Sequence, residues 1–299
     1  MHPSQYIKDL FKKDLNLFPV QNYTTSCLIY KKRSYGIFYV TGKDNVMYTI
    51  KVVLNNLFSN TYETCINLYL KRFASQIPNL LIVEDVYIGD NPLRYPLFTQ
   101  KNKLDSTFCK SADLKEIFIN DYMNKYVYTV TETCLYNLGY YLGSHGGRLD
   151  YYTFVAYTFE LFVALQTLHR LGVWHKDLKP ANVLVCQKDI SVDYIYEDII
   201  WTTSYKKGYL KLIDFGESIV VDNVSAPCQD FHYEVNVGLA NIVQLMWNKT
   251  EGVKNIKMYE DLFLLMKNCQ TSVLDLMLTS PIFDMLKGGR GDIRIDLLI

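Results

Sequence analysis

Three side chains within six residues have the types needed to move a proton and a charged group. Asp177 and Asn182 stand five positions apart in His175-Lys176-Asp177-Leu178-Lys179-Pro180-Ala181-Asn182, with Lys179 between them. A carboxylate there can accept a hydroxyl's proton or orient that hydroxyl, and an amide oxygen can ligate a metal. The ammonium can neutralise charge on a group in transfer. A second carboxylate, Asp214, follows 32 positions beyond Asn182 in Leu212-Ile213-Asp214-Phe215-Gly216; alone it reads as a turn with a capping Asp. Upstream, Lys51 lies among apolar neighbours in Tyr48-Thr49-Ile50-Lys51-Val52-Val53, and Glu63 follows twelve positions later. A lysine so placed is more often one that snorkels from a strand edge, so its pairing with Glu63 is an expectation about that helix.

These groups need a scaffold, and the pattern of apolar residues outlines one. Residues 27–30, 35–40 and 46–53 are rich in Tyr, Ile and Val and read as successive antiparallel strands. Ile66, Tyr69, Leu70 and Phe73 have helical spacing over 61–73, and 80–88 and 127–132 read as further strands. Between them, 90–124 is polar and weakly periodic, which predicts an insertion or mobile loop. Asp150 is a good N-cap for a helix over 151–171, in which Phe154, Leu161, Leu165 and Leu168 form a stripe that Gly172 ends. Residues 187–208 show no clear fold, 209–213 reads as a strand, and a helix from about Phe231 carries Val235, Leu239, Ile242 and Met246 at core spacing. The remainder reads as short helices, and residues 1 to about 24 as an amphipathic helix packed on the first lobe. A strand-rich third followed by a helix-rich remainder predicts two lobes with a cleft.

Composition narrows the classes. With 299 residues, 49% hydrophobic and 21% charged, the chain has the balance of an ordered globular protein. Thirty-one basic residues offset thirty-one acidic ones, so no stable nucleic-acid binding is expected. Seven scattered cysteines with no paired spacing argue against a disulfide framework and against structural zinc, and favour a reducing compartment. No stretch approaches the roughly 18 apolar residues of a membrane span, and the first residues lack a secretory apolar core. A soluble, intracellular, cytoplasmic protein is the expectation.

The segment around Asp177 resembles the catalytic loop of eukaryotic-type protein kinases, with Lys176 where that family has arginine. The Asp214 segment resembles the family's metal-binding Asp-Phe-Gly, and the Lys51 strand resembles its Val-Ala-Ile-Lys strand. The resemblance implies that Asp177 is the base and that Lys179 stabilises the transferred group. Asn182 and Asp214 would hold Mg2+, while Lys51, fixed by Glu63, would hold the α and β phosphates of ATP. Lys31-Lys32-Arg33-Ser34-Tyr35-Gly36 aligns with the glycine-rich loop, of which only the third glycine, Gly36, is present. Val130-Thr131-Glu132-Thr133-Cys134-Leu135 resembles the hinge, where the backbone at Glu132 and Cys134 would pair with adenine and Thr131 would guard the back pocket.

The implied architecture is an α+β, bilobal kinase-like fold. It would have an N-terminal extension over 1–24, a β-rich N-lobe over 25–131 and a mainly helical C-lobe over 132–299. Its implied activity is ATP- and Mg2+-dependent phosphorylation of Ser or Thr in protein substrates. The pattern breaks after Asp214: Asp230 is the best match to the family's structural Asp, only residues 217–229 intervene, and no Ala-Pro-Glu is present. So short an activation segment resembles compact atypical kinases of the RIO kind, and the insertions resemble kinases of large DNA viruses. Ser218 and Ser225 are candidate modification sites on it. Two other readings stay open: a scaffold pseudokinase, for which the missing glycines argue, and a small-molecule phosphotransferase, for which the shortened segment argues.

Overall fold

The computed structural model describes residues 3–10, 14–32, 35–55, 58–74, 78–99, 114–118, 124–143, 146–187, 191–204, 208–222, 233–252, 255–268, 272–289, 291 and 293–297. Its contacts divide the chain into two units, Gln5–Arg72 with Ile82–Thr133, and Met1–Ser4 with Phe73–Leu81 and Cys134–Ile299. It is a mixed α+β fold, with a large sheet in one unit and most of the helix in the other.

The sheet unit takes in α1 (Pro3–Leu10) from Gln5 onward and continues through β1 (Asn16–Leu17), β2 (Tyr23–Lys32), β3 (Tyr35–Gly42), β4 (Met47–Leu54) and α2 (Phe58–Lys71). After β5 (Val83–Gly89) come two short helices, α3 (Pro96–Thr99) and α4 (Leu114–Ile117), and then β6 (Tyr126–Glu132). The six strands pair in the order β1-β5-β6-β4-β3-β2. Alternation gives each face its own core. Ile50, Val52 and Leu54 of β4 join Phe38, Val40, Tyr126, Tyr128 and Val130 on one face, where Leu97, Phe98, Ile117 and Phe118 cover them. Val83, Val86 and Val127 meet Leu68 of α2 on the other, and Lys51, out of phase with Ile50 and Val52, belongs to that face.

Two expectations fail here. The helix expected over 1–24 stops at Leu10, after which β1 adds to the sheet and Phe18 stacks on Tyr128 at 4.2 Å; residues 14–24 are therefore part of the sheet unit rather than an extension. The described parts of 90–124 are not loose, because Leu97, Phe98, Ile117 and Phe118 are core residues. Apolar side chains in short helical turns leave no long-range periodicity to read.

The second unit continues with β7 (Tyr136–Asn137), α5 (Leu138–Leu142), α6 (Tyr151–Arg170), β8 (Val173–Trp174), β9 (Val183–Cys186), β10 (Ser191–Tyr196) and β11 (Ile199–Ser204). Then come β12 (Tyr209–Leu212), β13 (Ile219–Val220), a π-helical turn (Glu234–Leu239), α7 (Ala240–Asn248), α8 (Ile256–Lys267), α9 (Val273–Thr279) and β14 (Ile293–Asp296). Asp150 caps α6, its carboxylate accepting from the Thr153 N–H at 2.7 Å. The helix is buried nearly all round, so its apolar stripe broadens to a whole cylinder. Residues 187–208, expected to lack structure, supply the β10–β11 hairpin, and β14 pairs in parallel with β10 where only helices were expected. Buried polar groups of the hairpin pair within it, where Thr202 Oγ1 donates to Asp193 at 2.6 Å, and beyond it, where the Tyr194 hydroxyl donates to Asn79 at 2.8 Å. That composition hides a strand from a hydrophobicity reading.

Cysteine pairing also departs from expectation. Cys134 and Cys186 form a disulfide with Cα atoms 4.5 Å apart, and Cys27 is disulfide-bonded too. Pairing of Tyr136 with Val185 draws the first two together across 52 residues of sequence, a proximity that spacing alone does not reveal. Cys65 is a free, buried thiol whose pKa burial pushes up to about 11. Among the described residues no helix is long and apolar enough to cross a membrane.

Candidate active site

The second unit brings Asp177, Lys179, Asn182 and Asp214 together through a lattice of short bonds. The loop leaves β8 at the fully buried His175 and re-enters regular structure at β9. His175 Nδ1 accepts from the Asp177 N–H at 3.3 Å, which fixes the tautomer so that Nε2–H donates to the Ile213 carbonyl at 2.9 Å. The Ile213 N–H in turn donates to the Asn182 carbonyl at 3.0 Å. Ile213 is thus bonded to the loop at both ends of its peptide, and the next residue is Asp214. Asp214 takes a left-handed backbone with φ of 69°, and the following Phe215 is buried against the His175 ring at 5.4 Å.

Within the loop, Asn182 Nδ2 donates to Asp177 twice, to its carbonyl and to Oδ2, each at 2.9 Å. Both bonds use the amide nitrogen and leave the amide oxygen out of them. Lys179 Nζ also donates to Asp177 Oδ2. That bond raises the Lys179 pKa above its ordinary value, against partial desolvation, with the Asp177, Asp214 and Glu217 charges adding to the rise. A carboxylate, an amide and an ammonium converge on one point, with a further carboxylate near enough to act on the ammonium.

Sequence reasoning missed the anchor beneath this loop. Glu234, at 1% exposure, accepts the Lys176 N–H at 2.5 Å through Oε1 and the His169 Nε2–H at 2.7 Å through Oε2. Lys176 itself has a φ of 67°, so the loop turns sharply at the residue that Glu234 holds. One turn on, a Cβ at Gly238 would lie 2.6 Å from the Leu178 Cβ, so only glycine admits the loop so close. A signal was available: Glu234 immediately precedes Val235 in an apolar stripe, where a charge must be partnered. Asp230, the expected match to the family's structural Asp, lies outside the described residues with Ser225. Ser218 is buried and donates to the His175 carbonyl at 3.2 Å, so it is not open to modification as it stands.

The sheet unit holds the second group. Lys51 Nζ lies 2.8 Å from both carboxylate oxygens of Glu63, and the two side chains are 27% and 14% exposed. Strand β4 sets Lys51 on the face that α2 covers, and α2 brings Glu63 to it. The Tyr35 ring, 5.8 Å from the ammonium, is a neighbour that sequence reasoning did not foresee. Gly36 lies in β3 opposite Lys31 and Val52, and alternation turns it away from the Lys51 face. Arg33 and Ser34 lie outside the described residues. Glu132 ends β6 opposite Tyr48; the Thr131 hydroxyl donates to the Thr49 carbonyl at 3.5 Å, and Cys134 is tied to Cys186.

The donor set fits a hard divalent cation. Asp214 and Asn182 offer oxygen ligands, and among the described residues no group of three or more His, Cys, Asp or Glu could hold a metal by protein donors alone. Magnesium is commonly held in that way, by one or two side chains plus substrate phosphates.

Comparison with known proteins agrees with this chemistry. The protein kinase domain family matches residues 109–238. Protein kinase gsk31 of Schizosaccharomyces pombe is 39% identical over 80 residues, covering 25% of this chain and 16% of that protein. Cyclin-dependent kinase 15 of Danio rerio is 32% identical over 99 residues, covering 33% of this chain and 18% of that protein. The matches therefore span less than a fifth of either relative.

Proposed function

We propose that this chain, residues 109–238 of which match the protein kinase domain family, transfers the γ-phosphoryl group of ATP to serine or threonine hydroxyls of protein substrates in a magnesium-dependent reaction. The observation that carries this reading is the convergence of Lys179 and Asn182 on Asp177, with Ile213 pinned to the same loop so that Asp214 follows it.

In this reading Asp177 accepts or orients the substrate hydroxyl's proton through its carboxylate. Lys179, its ammonium kept charged by Asp177, offsets charge on the moving phosphoryl group. Asn182 and Asp214 would hold Mg2+, which supplies charge neutralisation at the phosphates. Lys51, aimed by Glu63, binds the α and β phosphates. The sheet unit would then serve as the nucleotide-covering lobe and the second unit as the catalytic lobe. Glu132 and Cys134 would offer backbone groups to adenine.

The test is phosphate transfer from labelled ATP with Mg2+ to the protein itself, casein and histone. Wild type is expected to transfer, with Asp177→Ala and Lys51→Ala both losing transfer. A folded wild-type protein that neither transfers phosphate nor shows a thermal shift with Mg2+-ATP would sink the enzyme reading.

A further inference from the structure

Glycines in a phosphate-covering loop let backbone amides approach closely and let the loop adapt. Here Gly36 alone of that pattern is glycine, and its open side serves another purpose. Gly36 and Phe38 share the sheet face turned away from Lys51, and a Cβ at 36 would lie 3.0 Å from the Phe38 ring and 3.2 Å from the Phe118 ring. Phe118 is fully buried, 6.3 Å from Phe38 in a stacked arrangement and 5.6 Å from Tyr126 edge-on. Phe98 of α3 packs on Phe38 at 4.8 Å, and Ser26 of β2 donates to the Leu97 carbonyl at 2.5 Å. The β2–β3 ladder continues to Lys32 opposite Tyr35, well past the point where α3 grips it.

We propose that α3 and the Ile117–Phe118 turn form a brace on the outer face of the β2–β3 hairpin, with Phe118 as the positioning residue that holds the hairpin ready for the nucleotide's phosphates. The proposal rests on the reading above, in which this hairpin covers the phosphates. A hairpin held in place before binding loses less freedom on binding, which offsets the close approach given up with the missing glycines. The segment with no apparent role in the sequence thereby becomes part of the nucleotide site without touching nucleotide.

Because the brace acts on phosphate contacts alone, MgATP and adenosine report on it differently. Titration of each ligand into wild type, Phe118→Ala and Phe118→Leu is expected to show Phe118→Ala binding MgATP about tenfold or more weakly, the equivalent of one lost hydrogen bond to a charged group. Adenosine affinity should stay within about twofold, the KM for ATP should rise more than kcat falls, and Phe118→Leu should recover most of the loss because it refills the volume. Gly36→Ala, which pushes the rings apart from the hairpin side, should act in the same direction and replaces Phe118→Ala if that variant does not fold. Unchanged MgATP affinity in a folded Phe118→Ala, or equal losses for MgATP and adenosine, would overturn the brace while leaving the kinase reading intact. A wild type that binds neither ligand would overturn both.

Discussion

The loop from His175 to Asn182 and the hairpin formed by β2 and β3 are held by opposite means. The loop is fixed atom by atom: His175, Asp177, Asn182 and Ile213 exchange directional bonds, and Glu234 holds the Lys176 N–H from beneath. The hairpin is fixed as a surface, by the rings of Phe98 and Phe118 packed on Phe38 and Gly36. Directional bonds demand particular donors and acceptors at particular separations, whereas a packed face accepts any apolar side chain of suitable volume. The difference accounts for a loop that matches the kinase pattern almost residue for residue and a hairpin that carries only one glycine of its pattern.

Breaking each region should therefore give a different signature. Asp177→Ala is expected to lower phosphoryl transfer by about 10²- to 10⁴-fold while the thermal midpoint moves little, because a partly exposed carboxylate is lost and no cavity forms. Steady-state rates and a melting curve on the same sample check both halves. Phe98→Ala should do the reverse, costing about 3–5 kcal/mol of stability in the sheet unit by emptying an aromatic site, with kcat of the folded fraction at saturating MgATP retained; urea unfolding measures it. Glu234→Ala should combine the two signatures, costing about 3 kcal/mol because the Lys176 N–H and His169 lose their buried partner, and lowering kcat as the loop relaxes.

The smallest effect sharpens the comparison through pH. Glu160 is fully buried in α6, and that burial holds its pKa well above the ordinary 4.5, although its Oε2 accepts the Leu210 N–H at 2.8 Å. Its folded state thus keeps a proton that the unfolded chain releases above about 4.5. Stability from this group is complete below that pH and declines as pH rises towards the folded value, by up to about 1.4 kcal/mol per pH unit. Glu160→Gln should flatten that slope, so the variant gains on wild type as pH rises above about 4.5; parallel curves in chemical denaturation would show that Glu160 is ionised in the fold.

How much of this was legible follows from range. Asp177, Lys179 and Asn182 lie within six residues, so their spacing carries their geometry. Lys51 and Glu63 were joined by a strand and a helix that periodicity could find. Glu234 meets Lys176 across 58 residues, and its own stripe was the only hint. Phe118 and Leu97 sit in a polar stretch where short helical turns give no period. The β10–β11 hairpin went unseen because Asp193, Thr202 and Thr203 are all buried in it, with Thr202 donating to Asp193, and lower its apparent hydrophobicity.

Strand β14 has a consequence for the order of assembly. It pairs in parallel with β10 from Val192–Ile293 to Ile195–Asp296, a partner about a hundred residues later in the chain. During synthesis the β10–β11 hairpin emerges with one strand edge open and waits for α7, α8 and α9 to be made before that edge is closed. At ribosomal rates of about 5–20 residues per second, the wait lasts several seconds. An open edge is a template for pairing with other chains, so this interval is the point in the molecule's life at which association between nascent copies competes most directly with folding. A release of the ribosome before residue 293 would make that exposure permanent.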